Sequence, residues 1–202
     1  MNRFNVRMDN GEYEHEIIDR AILFATRAFA GQDRKLRGEP AVFHALEAGE
    51  IAATVTADSE IIAACILHDT IEDAGVTEEE LEKEFGKRTA SLVAMESENK
   101  REDRPAEETW HERKQEALDL LAGTDDIGIK VMFLSDKLSN IRAIRSIHYV
   151  MGDELWNRFH QKNPREHKWY YETILHLTEP LKNTAAWLEY QELVQRVFEK
   201  YE

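Results

Sequence analysis

The chain has 202 residues, enough for one domain that buries about 70% of the surface its unfolded chain exposes. Its 40 Asp and Glu outnumber 26 Lys and Arg, for a formal charge of −14, which excludes a broad nucleic-acid footprint, since that needs a basic face. A small anionic ligand stays allowed, but it must meet a metal or a local basic cluster, because the mean field of the protein repels it.

The N-terminal stretch MNRFNVRMDNGEYEHE has no apolar h-region, so no secretory leader is expected. No window reaches the roughly 20 apolar residues of a membrane span. The single cysteine, Cys65, lies in IIAACILH and reads as a small buried hydrophobe in a reducing compartment, the cytoplasm. The first helix is expected in EHEIIDRAILFATRAFA, with Ile17, Ala21, Phe24 and Ala28 on one face. A basic loop, GQDRKLRGEP, separates it from a second helix, FHALEAGEIAATV. The third, DSEIIAACILHD, starts at Asp58 as N-cap without a capping box, and Gly75 ends the segment that follows. In TEEELEKEFG, Thr77 and Glu80 form a capping box and Gly86 is the stop.

SENKREDRPAEE is a polar loop, and ETWHERKQEALDLLAG returns to helix. The longest apolar helix is DDIGIKVMFLSDKLSNIRAIRSI, and the end, from Trp156 to Tyr201, is aromatic-rich helix broken at Pro164 and Pro180. The expected architecture is all-α: one compact helical domain over residues 1–202.

Four titratable groups interrupt apolar context. His68 and Asp69 close the run AACIL, with Glu72 and Asp73 one helical turn on; His44 sits in AVFHALEA, and Asp136 follows VMFLS. On a continuous helix His68 and Glu72 share a face, as do Asp69 and Asp73. Burying such groups without partners costs several kcal/mol. A shared cation would satisfy them, with Glu72 left to handle a water. Each group alone has a bland reading: a core histidine, or for Asp136 an ion pair with Lys137 or Arg142. Two His, two carboxylates and water suit Mn²⁺ or Fe²⁺; Zn²⁺ fits less well without thiolates.

The order GQDRKLRGEPAVFHALEA, then AACILHDTIEDAGVTEEELEKEFG, then LSDKLSNIRAI resembles the HD-superfamily phosphohydrolases. It is most similar to the guanosine bis(diphosphate) 3′-pyrophosphohydrolase domain of RelA/SpoT proteins and to their small single-domain relatives. The resemblance runs over about residues 20–146, leaving 147–202 as a C-terminal extension. It implies an HD-type helical bundle in which His44, His68, Asp69 and Asp136 bind one Mn²⁺. It also implies that Glu72 and Asp73 orient and deprotonate the water. Arg34, Lys35, Lys100 and Asn140 would contact a small phosphorylated nucleotide, Arg34 being able to stack on a purine. The basic loop, Lys100 and Lys137 or Arg142 would then supply local positive potential. The family usually has His at Phe29, Tyr at Ala41, Pro at Ala45 and His at Ser139. These departures fall around the expected nucleotide pocket, so another nucleotide, such as a nicotinamide dinucleotide phosphate, stays open as substrate. A non-catalytic sensing module, a helical adaptor and a homo-oligomer also stay open.

Overall fold

A computed structural model of the chain describes residues 8–9, 11–101 and 103–201; the N-terminal stretch through residue 7, read above for a leader, lies outside them. Helices α1 (His15–Ala28), α2 (Val42–Val55) and α3 (Ser59–Leu67) are followed by the short α4 (Thr70–Ala74). Then come α5 (Glu78–Phe85), α6 (Lys87–Glu96), α7 (Ala106–Ala122) and α8 (Ile127–Met151), a 3₁₀ segment at Gly152–Arg158, α9 (Pro164–Leu177) and α10 (Ala185–Phe198). No strand forms among the described residues; one isolated bridge joins Asp33 to Pro40 across the basic loop.

The sequence explains which helix lies at the centre. A helix that is apolar all round has no solvent face, and every residue of α3 except Glu60 is buried. Helices α1, α2, α6 and α8 pack around it, while α8 reaches on to α9 and α10. Burying Ile62 and Leu67 stabilises the fold by about 1.5–3 kcal/mol each. The expected ends hold: the Asp58 side chain accepts from Glu60 N and Ile61 N, and Thr77 with Glu80 closes a full capping box. Asp126 caps α8 by accepting from Gly128 N at 2.7 Å, and Pro164 opens α9 behind an Asn163 cap.

Four elements differ from expectation. On α1 the buried ridge is Ala21, Ala25 and Phe29, with Ile17, Phe24 and Ala28 at its edges. Helix α6 was not singled out by the sequence. The third helix stops at Leu67 rather than running on: the His68 ring donates from Nδ1 to Cys65 O at 2.8 Å and Thr70 Oγ1 donates to Leu67 O at 2.6 Å. Side-chain donors there compete with the backbone for helical carbonyls. The chain turns at residues 68–69, and α4 starts at Thr70. The Trp156 segment is likewise 3₁₀ helix, not α-helix.

The crossing of α2 and α3 depends on Gly49. A Cβ at this position would stand 2.3 Å from Ile66 Cγ1, well inside contact distance. Gly49→Ala is expected to destabilise the protein by about 1–3 kcal/mol through overpacking, despite the better helix propensity of Ala. Thermal unfolding of Gly49→Ala, Ile66→Ala and the double variant checks this: the double variant should cost less than the sum of the singles.

Candidate metal centre and adjoining groove

Three helices bring three buried side chains to one point. His44 enters from the first turn of α2, His68 from the turn after α3, and Asp136 from the middle of α8; their ligand atoms all lie within 4.8 Å of one another. The two imidazole Nε2 atoms are 3.1 Å apart, with the ring planes at 73°. Asp136 Oδ1 is 3.1 Å from His44 Nε2 and 3.6 Å from His68 Nε2. Half-buried Asp69, at the turn, puts Oδ2 at 3.2 Å from His68 Nε2 and 3.5 Å from His44 Nε2.

The outer hydrogen bonds decide which nitrogens face the centre. His68 Nδ1 meets a carbonyl, so it must carry the hydrogen, and Nε2 keeps its lone pair. His44 Nδ1 lies 2.8 Å from Ser139 Oγ, whose own hydrogen goes to Glu47 Oε2 at 2.6 Å. Ser139 therefore accepts from Nδ1–H, and His44 Nε2 also keeps its lone pair. Two lone pairs facing each other at this distance repel unless a proton or a cation stands between them. A cation with bonds of about 2.1 Å holds neighbouring donors about 3.0–3.4 Å apart; three of the donor separations, at 3.1, 3.1 and 3.2 Å, fall in that range, and the other two, at 3.5 and 3.6 Å, lie just beyond it. Their chemistry, two neutral imidazoles and two carboxylates, fits a divalent ion.

Electrostatics around the cluster follow from burial. Burial favours the neutral form of Asp136, but Lys137 and the two imidazoles outweigh it and hold the carboxyl well below its ordinary range. Asp69 is lowered too, burial being overcome chiefly by His68. Burial drives His44 down, whereas His68 rises well above its ordinary value because Asp69 and Asp136 overcome its burial. Asp136 thus does make the ion pair with Lys137 that its bland reading foresaw, through Oδ2, while Oδ1 faces the histidines.

A polar chamber of about 160 Å³ over the cluster adjoins a groove of about 530 Å³. Arg34, Asp69, Glu72 and Asn140 line both. Asn140 links the two, donating to Asp136 Oδ1 and accepting from Arg34 Nη2 at 2.6 Å. Glu72 is raised by burial and by Asp69 and Glu98. Lys100 Nζ donates to Asp73 Oδ1 at 2.5 Å and to Glu72 O at 3.0 Å, and lies 3.5 Å from Glu72 Oε1. Lys35 and Asp73 line the groove but not the chamber. Phe29, Ala41 and Ala45 do fall at the groove, as expected; Ser139 does not, and stands behind His44 instead. Arg37 is turned onto Glu39, and Arg142 belongs to another face of α8, bound to Glu47 and Glu189.

Sequence reasoning missed part of the chamber. Glu98 holds Arg113 at 2.9 Å and also pairs with Lys114, and all three line the chamber. Glu96 lines it as well; burial pushes its pKa to about 7, and neither carboxylate oxygen has a hydrogen-bond partner. Glu96 could have been found by the signal that marked His44, a titratable group beside apolar residues, since it follows LVAM at the end of α6. Arg158, His160 and Tyr171, from the C-terminal third, complete the groove, and Arg158 clamps the basic loop by donating to Leu36 O at 2.9 Å.

Residues 21–151 match the family model described as HD domain, and the chain belongs to that family. It is 35% identical over 129 residues to an Aquifex aeolicus protein named guanosine-3′,5′-bis(diphosphate) 3′-pyrophosphohydrolase, a match covering 64% of this chain and 18% of the relative. The Haemophilus influenzae protein of the same name is 35% identical over 126 residues, covering 62% of this chain and 18% of the relative. The chain thus spans about a fifth of the length of these curated relatives. Among solved structures, lmo0812 from Listeria monocytogenes aligns with TM-score 0.68 at 28% identity, over 78% of this chain and 99% of that one. A metazoan SpoT orthologue, described as hydrolysing ppGpp, aligns with TM-score 0.72 at 22% identity, over 92% of this chain and 98% of that one, a likeness of fold.

The raised pKa of His68 has a measurable consequence. In the ion-free protein a proton sits on His68 at neutral pH, where the cation needs a lone pair, so uptake must release it. Apparent affinity for a divalent ion should fall as pH drops below that raised value, by up to about tenfold per unit for one displaced proton. Calorimetric titration in buffers of different ionisation enthalpy should report close to one proton released per ion; no release would contradict the assignment.

Proposed function

We propose that this protein is a metal-dependent phosphohydrolase that cleaves guanosine 3′,5′-bis(diphosphate) at its 3′ position, giving GDP and pyrophosphate. The observation that carries the reading is the convergence of His44, His68 and Asp136 in a chamber adjoining a groove that Arg34, Lys35 and Lys100 line. The names of the Aquifex and Haemophilus relatives support the substrate. Among the described residues no helix is long and apolar enough to cross a membrane, which agrees with action on a small cytoplasmic nucleotide.

His44, His68, Asp69 and Asp136 would hold one ion, for which we propose Mn²⁺. A bound divalent cation would supply Lewis acidity toward water and phosphate oxygens. Glu72, held at the mouth of the chamber with a raised pKa, takes the proton of the attacking water at a carboxylate oxygen. Asp73 holds Lys100 over the same water path. The water oxygen joins the phosphorus on the ribose 3′ oxygen, the bond between that phosphorus and the 3′ oxygen breaks, and the 3′ oxygen ends protonated. Arg34, fixed by Asn140, meets the base or phosphates at the groove, and Lys35 and Lys100 neutralise phosphate charge.

Two variants separate these roles. Glu72→Gln should keep metal content and nucleotide affinity while lowering the rate by about 10²–10⁴-fold, the range for a lost general base; loss of metal would make Glu72 a ligand instead. Arg34→Ala should mainly raise KM. The substrate is tested by assaying the wild type with Mn²⁺ on a panel of phosphorylated nucleotides. Cleavage of guanosine tetraphosphate to GDP and pyrophosphate is expected. Turnover of a nicotinamide dinucleotide phosphate alone would keep the chemistry and replace the substrate.

A further inference from the structure

We propose that Ser139, Glu47, Arg142 and Glu189 form a positioning relay that runs from the C-terminal helix to His44 and fixes which ring nitrogen faces the metal. The proposal rests on the metal-centre reading and concerns how that centre is held.

The relay begins in the core. Ser139 is 2% exposed and owns a single hydrogen, which Glu47 Oε2 takes at 2.6 Å. Toward His44 Nδ1, at 2.8 Å, the hydroxyl can only accept. Were the hydroxyl free to turn, it could donate to Nδ1 and send the ring hydrogen to Nε2, which would block the metal position. The direction of the Ser139 O–H bond therefore decides the tautomer, and Glu47 sets that direction. Glu47 is held in turn: Arg142 Nη1 donates to its other oxygen, Oε1, at 3.0 Å. Arg142 is aimed by a two-pronged pairing, Nε and Nη2 donating to Glu189 Oε1 and Oε2, both at 2.7 Å. Such forked Arg–carboxylate pairs fix orientation as well as charge.

A simple tie between α8 and α10 would account for Arg142 and Glu189 alone. It would not account for Glu47 spending one oxygen on Arg142 and the other on a buried hydroxyl that touches a candidate ligand. Three helices, α2, α8 and α10, each contribute a link, and Glu189 lies outside residues 21–151, the span matched by the family. The C-terminal extension thereby acquires a task at the metal centre.

The test uses the full chain with Mn²⁺ as the probe. Nitrogen-15 NMR of imidazole-labelled protein reports the His44 tautomer, and a metal titration reports the dissociation constant. Ser139→Ala and Glu47→Ala should populate the Nε2–H tautomer and weaken Mn²⁺ by about 10–100-fold, the range for lost outer-shell partners. Ser139→Thr, which keeps the hydroxyl, should restore both readouts. Glu47→Gln can donate its amide hydrogen to Ser139 and so should also shift the tautomer, even where its thermal midpoint equals the wild type. Glu189→Ala should move both readouts in the same direction by a smaller amount. If these variants keep the wild-type tautomer and Mn²⁺ affinity, the relay is wrong although the centre stands. If the wild type itself takes up no divalent ion, the centre fails and the relay with it.

Discussion

Two imidazoles forced nose to nose dominate this structure. With both Nδ1 hydrogens committed outward, to Cys65 O and to Ser139 Oγ, the two Nε2 atoms face each other and demand a positive charge between them, a proton on His68 or a cation in its place. Everything nearby serves that demand. Gly49 lets α2 close on α3 so that His44 reaches His68. The turn at residues 68–69 follows directly on α3, holds the His68 ring on Cys65 O and leaves Asp69 half-buried beside it. The long α8 delivers Asp136 from the third side, and its length is what lets one helix touch both the buried α3 and the C-terminal α9 and α10.

The same economy governs the charged groups around the centre. A chain of formal charge −14 gathers Arg34, Arg113, Lys114 and Lys137 at one chamber, among the carboxylates of Asp69, Glu72, Glu96, Glu98 and Asp136. Each cation is steadied by an anion or amide of the protein: Arg34 by Asn140, Arg113 and Lys114 by Glu98, Lys137 by Asp136. Buried charges persist only when paired in this way. Burial still holds the Lys114 ammonium below its ordinary value, Glu98 notwithstanding.

Much of this was legible in the sequence, and the reasons for success and failure are physical. Caps such as Asp58 and Thr77 with Glu80 act within one turn, so local sequence specifies them. The metal-directed residues announced themselves because a titratable group in an apolar run conflicts with its surroundings. The stop at His68 was hidden, since it arises from side-chain donors outcompeting the backbone for Cys65 O and Leu67 O. Arg113 and Lys114 were hidden for another reason: in WHERKQEAL they read as solvent-facing charge, and only Glu98, placed by a different segment, turns them inward. Ser139 looked like a substitution in the nucleotide pocket, because nothing local ties it to Glu47, 92 positions earlier.

The pairing of every cation in the chamber also bears on which anions can settle there. An incoming phosphate meets Arg34 held only by a neutral amide, but to use the other cations it has to draw Lys100, at the groove, from Glu72 and Asp73, or Arg113 and Lys114, in the chamber, from Glu98, and so trade one partner for another. A small inorganic anion engages too few of these groups at once to make the trade favourable, whereas a molecule spanning groove and chamber can engage several together. The acidic partners of the basic residues thus raise the cost of binding for an anion too small to engage several of them at once.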